Sequence, residues 1–236
     1  MKFFRTKQVG HLRDLLRDHG IRDEPSLRRL IDGQSSIAHG EATFQVIRAR
    51  DLGLDNERRS YLDPFEFRET IFDCGDIRLQ NSEKIRLVDC VVLGTLFIGN
   101  KTGRSISIEL DTAAVTGELK LMGGGSIAAS ISMNSVRAGA LSIDALGCSK
   151  LHAFDTAFVS TTFSRLECGE LLALGNRFGD LTVSDCTFEE VRFPSHQFDM
   201  RALGGASGRL RRRAMRTFRP LDFGPLQTYT DEVLAG

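Results

Sequence analysis

The hydrophobic positions of this chain keep a five-residue beat over its second half. Stepping by five from Ile143 gives Cys148, Ala153, Phe158, Phe163, Cys168, Ala173, Phe178, Val183, Phe188, Phe193 and Phe198, all apolar. The positions two before them run from Leu141, Leu146 and Leu151 through Thr156, Thr161, Leu166 and Leu171 to Asn176, Leu181, Cys186, Val191 and His196. A helix repeats every 3.6 residues and a strand every two, so neither sustains this period. A chain that turns a corner every five residues does sustain it, closing a square coil after four sides. Two residues per side then point inward. Successive coils stack as parallel strands about 4.8 Å apart, and stacking buries a face that no single coil can bury alone.

The same organisation begins earlier and less regularly. Phe67, Phe72 and Ile77 are five apart, as are Leu87, Val92 and Phe97. Between 98 and 140 the beat loosens. Leu96, Leu119 and Leu141 are spaced by 23 and 22 residues, which predicts longer coils with extra residues bulging at corners such as Gly123-Gly124-Gly125. Ahead of the coils, residues 5–19 carry a Val9, Leu12, Leu15, Leu16 stripe and predict an amphipathic helix stopped by Gly20. Asp23-Glu24-Pro25 predicts the start of a second helix, with Leu27, Leu30 and Ile31 on its apolar side and Gly33 at its end. Residues 42–50 alternate as a strand, and Asp51 to Ser60 read as a loop. Two short helices admit a helix-turn-helix reading. The stronger expectation is a helical cap over the first coil, because solenoids need their end surfaces hidden.

Thr156-Ala157-Phe158, Cys186-Thr187-Phe188 and Val191-Arg192-Phe193 resemble the pentapeptide-repeat pattern of a small residue, Asp or Asn, and Leu or Phe. The middle Asp or Asn is mostly missing, so the chain resembles a degenerate member of that family. The resemblance implies a mainly β protein: a right-handed parallel β-helix with coils of about 20–23 residues and a small helical N-terminal cap. The expected domains are a helical or mixed cap over 1–60, the β-helix over 61–198, and a basic, partly flexible tail over 199–236.

Trp is absent and Phe occurs 16 times, which suits coils filled by Phe, Leu and Ile. Formal net charge is zero but uneven. Residues 1–60 hold 12 basic and 9 acidic side chains (+3), residues 61–198 hold 12 and 18 (−6), and residues 199–236 hold 7 and 4 (+3). The five cysteines, Cys74, Cys90, Cys148, Cys168 and Cys186, form no CxxC pair, and the last three fall on inward positions. They are expected as small buried hydrophobes. With no signal-peptide pattern at Met1-Lys2-Phe3-Phe4-Arg5, they suggest a reducing, cytoplasmic setting.

Candidate chemistry is sparse. The five histidines form no HxH or HExxH arrangement, and no GxSxG elbow or GxxxxGK[ST] loop occurs. No catalytic, cofactor-binding or metal-binding residue is identified, and no cofactor is expected. Acid or amide residues precede small ones at Asp73, Asp89, Asp111, Asn134, Asp155 and Asp185. These are expected at corners, where such side chains bond nearby backbone N–H groups; the alternative is a row of carboxylates for acid–base chemistry or Ca²⁺. The tail contains Arg209, Arg211, Arg212, Arg213 and Arg216, a possible polyanion contact. On a helix, Arg209, Arg212, Arg213 and Arg216 would share one face. The face would dock on phosphate, on anionic lipid or on the acidic solenoid itself.

The function expected is a non-catalytic macromolecule-binding or scaffold module, its partner most simply a protein, with nucleic acid or an anionic surface engaged through the Arg cluster. The alternatives are a duplex mimic that inhibits a nucleic-acid enzyme, as some pentapeptide-repeat proteins are, and a carbohydrate-active β-helix enzyme. A lateral groove with two carboxylates or a Lys/Arg pair would favour the last. The loosely spaced coils also resemble bactofilins, which polymerise end to end; a terminal cap argues against that.

Overall fold

The computed structural model describes residues 11–49, 51–52, 64–80, 82–100, 104–178, 180–192 and 211–212. Two helices come first, α1 (His11–Asp18) and α2 (Glu24–Ile31). A hairpin follows, β1 (Ser36–His39) and β2 (Ala42–Arg48), paired antiparallel. From there every described pairing is parallel. The strands are β3 (Phe65–Asp73), β4 (Ile77–Gln80), β5 (Lys84–Val92), β6 (Leu96–Asn100), β7 (Ile106–Asn134), β8 (Arg137–Phe154), β9 (Ala157–Ser164), β10 (Glu167–Leu174), β11 (Arg177–Phe178), β12 (Leu181–Ser184), β13 (Thr187–Arg192) and β14 (Arg211–Arg212). Together they wind a mainly β, parallel solenoid of about six turns.

The register is the one the sequence predicts. Leu96 pairs with Leu119, and Leu119 with Leu141, so the 23- and 22-residue coils are real. In the later coils the step is 20: Ile143 pairs with Phe163, and Phe163 with Val183. The extra residues of β7 appear as register shifts between Met122 and Gly125 and between Gly125 and Ala129. One inward column runs Phe72, Val92, Val115, Ala138, Phe158 and Phe178 through six successive rungs. Most of the five-spaced set lies in the core, including Cys148 and Cys168, as does Cys186 of the set two residues before it. Phe178, Leu181 and Val183, on the last described rungs of β11 and β12, are only partly buried. Phe193, Phe198 and His196 lie outside the described residues.

Corners are made by left-handed residues. Glu69, Asp89, Thr112, Ser135, Asp155 and Gly175 all have positive φ, between 47° and 70°. Strand pairing stacks them as one column, since Thr70 pairs with Cys90, Cys90 with Ala113, and Ala114 with Arg137. Ala145, Arg165 and Asp185 form a second such column. The acid-plus-small pairs therefore mark corners, as expected, but two members of the row, Asp73 and Asp185, belong to other edges.

The helices are present, with a physical difference from the expected arrangement. Asp23 caps α2, its Oδ1 accepting from Ser26 N at 2.7 Å. Leu12, Leu15, Leu16, Leu27 and Ile31 pack with Phe44 and Val46 against Ile71, Val91, Leu93 and Ala114. Val46, Ile71, Val91 and Ala114 form one column on the outer surface of successive rungs. The helices thus cover a side of the first coils, and the antiparallel β1 strand closes the hydrogen-bonding edge of β2. Both apolar stripes face the solenoid, which supports covering over the helix-turn-helix reading.

Candidate functional site

A second lateral surface is not covered by the described residues. It is formed by β4, β6 and the part of β7 that pairs with β6. Ile77, Leu96 and Leu119 point into the core, as do Leu79, Ile98 and Leu121. Alternation then places the residues between them on the outside. Arg78, Phe97 and Lys120 stand in one outward column. Asp76, Thr95 and Glu118, each one residue before the inward trio, form the column beside it. Gln80, Gly99 and Met122 form the third. These residues, Gly99 apart, line a groove of about 360 Å³, within the usual range of about 300–1,000 Å³ for ligand sites.

Three local features shape this groove. Gly99 is one. A Cβ built there would lie 2.9 Å from Cε1 of Phe97, so the phenyl ring is laid along the sheet over the glycine. The second is close stacking of backbone at the groove's edge. A Cβ on Gly94, whose φ is +127°, would fall 2.1 Å from the Gly75 carbonyl oxygen, and a Cβ on Gly117 would fall 2.9 Å from that of Gly94. The third is charge. Asp76, Arg78, Glu118 and Lys120 make no salt bridge among the described residues. On neighbouring columns the charges are paired: Lys84 with Glu66 at 2.6 Å, Arg86 with Glu109 at 3.2 Å, and Arg165 with Asp144 at 2.6 Å.

A larger hollow of about 600 Å³ lies over β10 and β13, where Gly169 leaves a dent beside Glu170, Glu189 and Glu190. Two of its three acids, Glu170 and Glu190, are engaged. Glu170 faces His152 Nε2 at 3.2 Å, and Glu190 stands in register with Arg211 of β14. Its aromatic, Phe188, is buried and offers no surface.

The Arg cluster is described only at Arg211 and Arg212. Their backbone is extended and pairs parallel with Glu190 and Val191 of β13. The helical face expected of Arg209, Arg212, Arg213 and Arg216 therefore does not apply at Arg212, whose backbone is part of a strand added to the sheet. Arg209, Arg213 and Arg216 lie outside the described residues. Arg211 stands 21 positions after its register partner Glu190, close to the step between the other rungs.

The corner carboxylates are committed to structure. Asp111 accepts from Asn134 Nδ2 at 2.7 Å, and Asp155 accepts from Ser135 Oγ at 3.1 Å and from Arg137 Nη2 at 3.2 Å. Arg137 is buried, and burial lowers its pKa although Asp155 opposes this. Arg137 also donates to the carbonyl oxygens of Val136 and Asp155. Burial pushes the Cys74 and Cys90 thiols up to about 12. Cys148 is raised further by its neighbour Cys168 and by burial. All five cysteines are free, and no cluster of metal-ligating side chains is found among the described residues. Burial raises Cys186 as well, so Cys74, Cys90, Cys148 and Cys186 favour the protonated thiol and act as packing.

Sequence reasoning named one groove residue, Phe97, and counted it with Leu87 and Val92 in the five-residue beat; the structure turns it outward, because Leu96 and Ile98 on either side of it fill the core. The signal was available in one form: adding one to the Leu96–Leu119 pair gives Phe97 and Lys120, and subtracting one gives Thr95 and Glu118. No helix among the described residues is long and apolar enough to span a membrane. Comparison with family models, with curated proteins and with solved structures returned no match.

Proposed function

We propose that this protein is a non-catalytic binding module, a stiff solenoid that presents the Phe97 groove as its ligand surface. The observation that carries the reading is the set of charges that form no salt bridge among the described residues, placed around a half-buried aromatic on a face the helices leave open. A charge that forms no close ion pair on a rigid sheet costs little to keep solvated and is available to a ligand. The degenerate pentapeptide pattern supports the same class, because such repeats supply a regular frame with function placed on its faces. Five free cysteines favour a reducing compartment as its setting. Duplex mimicry receives less support: acids alternate with bases along the outer columns, as at Glu66, Arg86 and Glu109. A duplex carries an uninterrupted charge every ~1.7 Å of axis.

One observation favours a second reading, a glycan-cleaving enzyme. Asp76 and Glu118 share a column two rungs apart, about 10 Å along the stack, with Arg78 and Lys120 beside them. Inverting glycosidases hold their two carboxyls roughly 6.5–9.5 Å apart. Capture of ligands from native extract by immobilised wild-type protein and by the Arg78→Ala, Phe97→Ala, Lys120→Ala triple variant tests the binding reading. A component retained by wild type and lost by the variant is expected. Identical retention by both would remove the groove from the account.

A further inference from the structure

The groove's chemistry narrows the ligand. We propose that it binds a neutral saccharide, with Phe97 as the platform beneath a sugar ring and the four flanking charges bonding its hydroxyls; this rests on the binding-module reading above. The groove sums to no net charge, with Asp76 and Glu118 in one column and Arg78 and Lys120 in the next. A polyanion meets repulsion from the first column and a polycation from the second. A hydroxyl group is both donor and acceptor, so it donates to a carboxylate and accepts from a guanidinium or ammonium at once. Two neighbouring hydroxyls on one ring match an acidic column beside a basic one.

The aromatic is placed for this use. Phe97 is half-buried, and Gly99 lets its ring lie along the sheet. The apolar C–H face of a sugar ring needs such a plate, whereas a ring standing off the surface would offer only an edge. Beyond Lys120 the same outward column continues through Ser142, Thr162 and Thr182. Short hydroxyl side chains at about 4.8 Å intervals leave a level track along the solenoid axis. An oligosaccharide therefore has room to extend past the ring on Phe97, and a chain ligand is favoured over a single sugar.

Calorimetric titration of the full chain with neutral hexasaccharides (β-linked glucose, α-linked glucose, xylose and mannose series) tests this, with oligogalacturonate as the charged control. Reducing ends are followed in the same samples. Wild type is expected to bind at least one neutral series. Phe97→Ala is expected to weaken that binding about tenfold and Phe97→Trp to retain it. Gly99→Ala, which tilts the ring, is expected to weaken it with the melting temperature held. Absence of binding to every neutral series at millimolar concentration overturns the inference, as does binding confined to oligogalacturonate or equal binding by wild type and Phe97→Ala. The binding-module reading would survive those results if the capture assay still depends on the groove. Binding accompanied by new reducing ends leaves the saccharide inference standing and overturns the non-catalytic reading.

Discussion

Asn176 joins two rungs inside the core. Its Oδ1 accepts from Thr156 N and Thr156 Oγ1, both at 2.9 Å, and its Nδ2 donates to the Ala153 carbonyl oxygen at 2.8 Å. The sequence placed both residues at inward positions, and the structure gives the reason a core tolerates them. Thr161 occupies an equivalent inward place, but its Oγ1 is buried with no hydrogen-bond partner among the described residues. The two positions predict opposite outcomes. Asn176→Ala orphans three groups and should cost about 2–4 kcal/mol, whereas Thr161→Val should cost nothing or gain about 1 kcal/mol, read from urea unfolding midpoints. Asp89 gives a pH prediction. Burial raises its pKa, against a bond donated by Leu12 N at 3.3 Å, with Glu69 and Asp111 nearby and His11 opposing them. A carboxyl whose folded pKa is raised binds its proton more tightly when folded. Stability is therefore lost as pH rises through the carboxylate range toward the folded value, and it stays lost at neutrality. Asp89→Asn keeps an acceptor and tolerates the left-handed corner. It should stabilise the protein at pH 7 and make no difference below about pH 4. A loss of stability at pH 7 would show that the charge is used.

At the scale of elements, what could be read in advance followed from periodicity. The five-residue beat, the longer coils at Leu96, Leu119 and Leu141, and the Asp23 cap all rest on local spacing, so they were legible. The placement of the helices was not. Ile71, Val91 and Ala114 sit one residue from inward neighbours, and only the register shows that they share an outer column beneath α1 and α2. The β1 strand was missed because Ser36–His39 is too short to show a period. The groove stayed hidden for a related reason: Arg78, Phe97 and Lys120 are 19 and 23 residues apart, so no fixed step connects them. Removing residues 1–33 should expose Phe44, Val46, Ile71, Val91 and Ala114 rather than the coil end. Leu15→Ala, a milder change within α1, should cost about 2–5 kcal/mol. If the truncated chain stays monomeric and melts as the whole protein does, the side-on packing of the helices contributes nothing to stability.

For the whole molecule, the solenoid divides its outer surface among three uses. One side is covered by the helices, one receives the β14 strand beside Glu190, and the β4–β6–β7 side carries charges that form no salt bridge among the described residues around Phe97. The central claim is that this last surface, and neither the helices nor the Arg-rich tail, meets the ligand. Hydrogen–deuterium exchange with and without the captured ligand addresses it directly. The account predicts slowed exchange confined to residues 77–80, 96–100 and 118–122. Protection at residues 11–31 or at 211–212, with the groove unchanged, would contradict it.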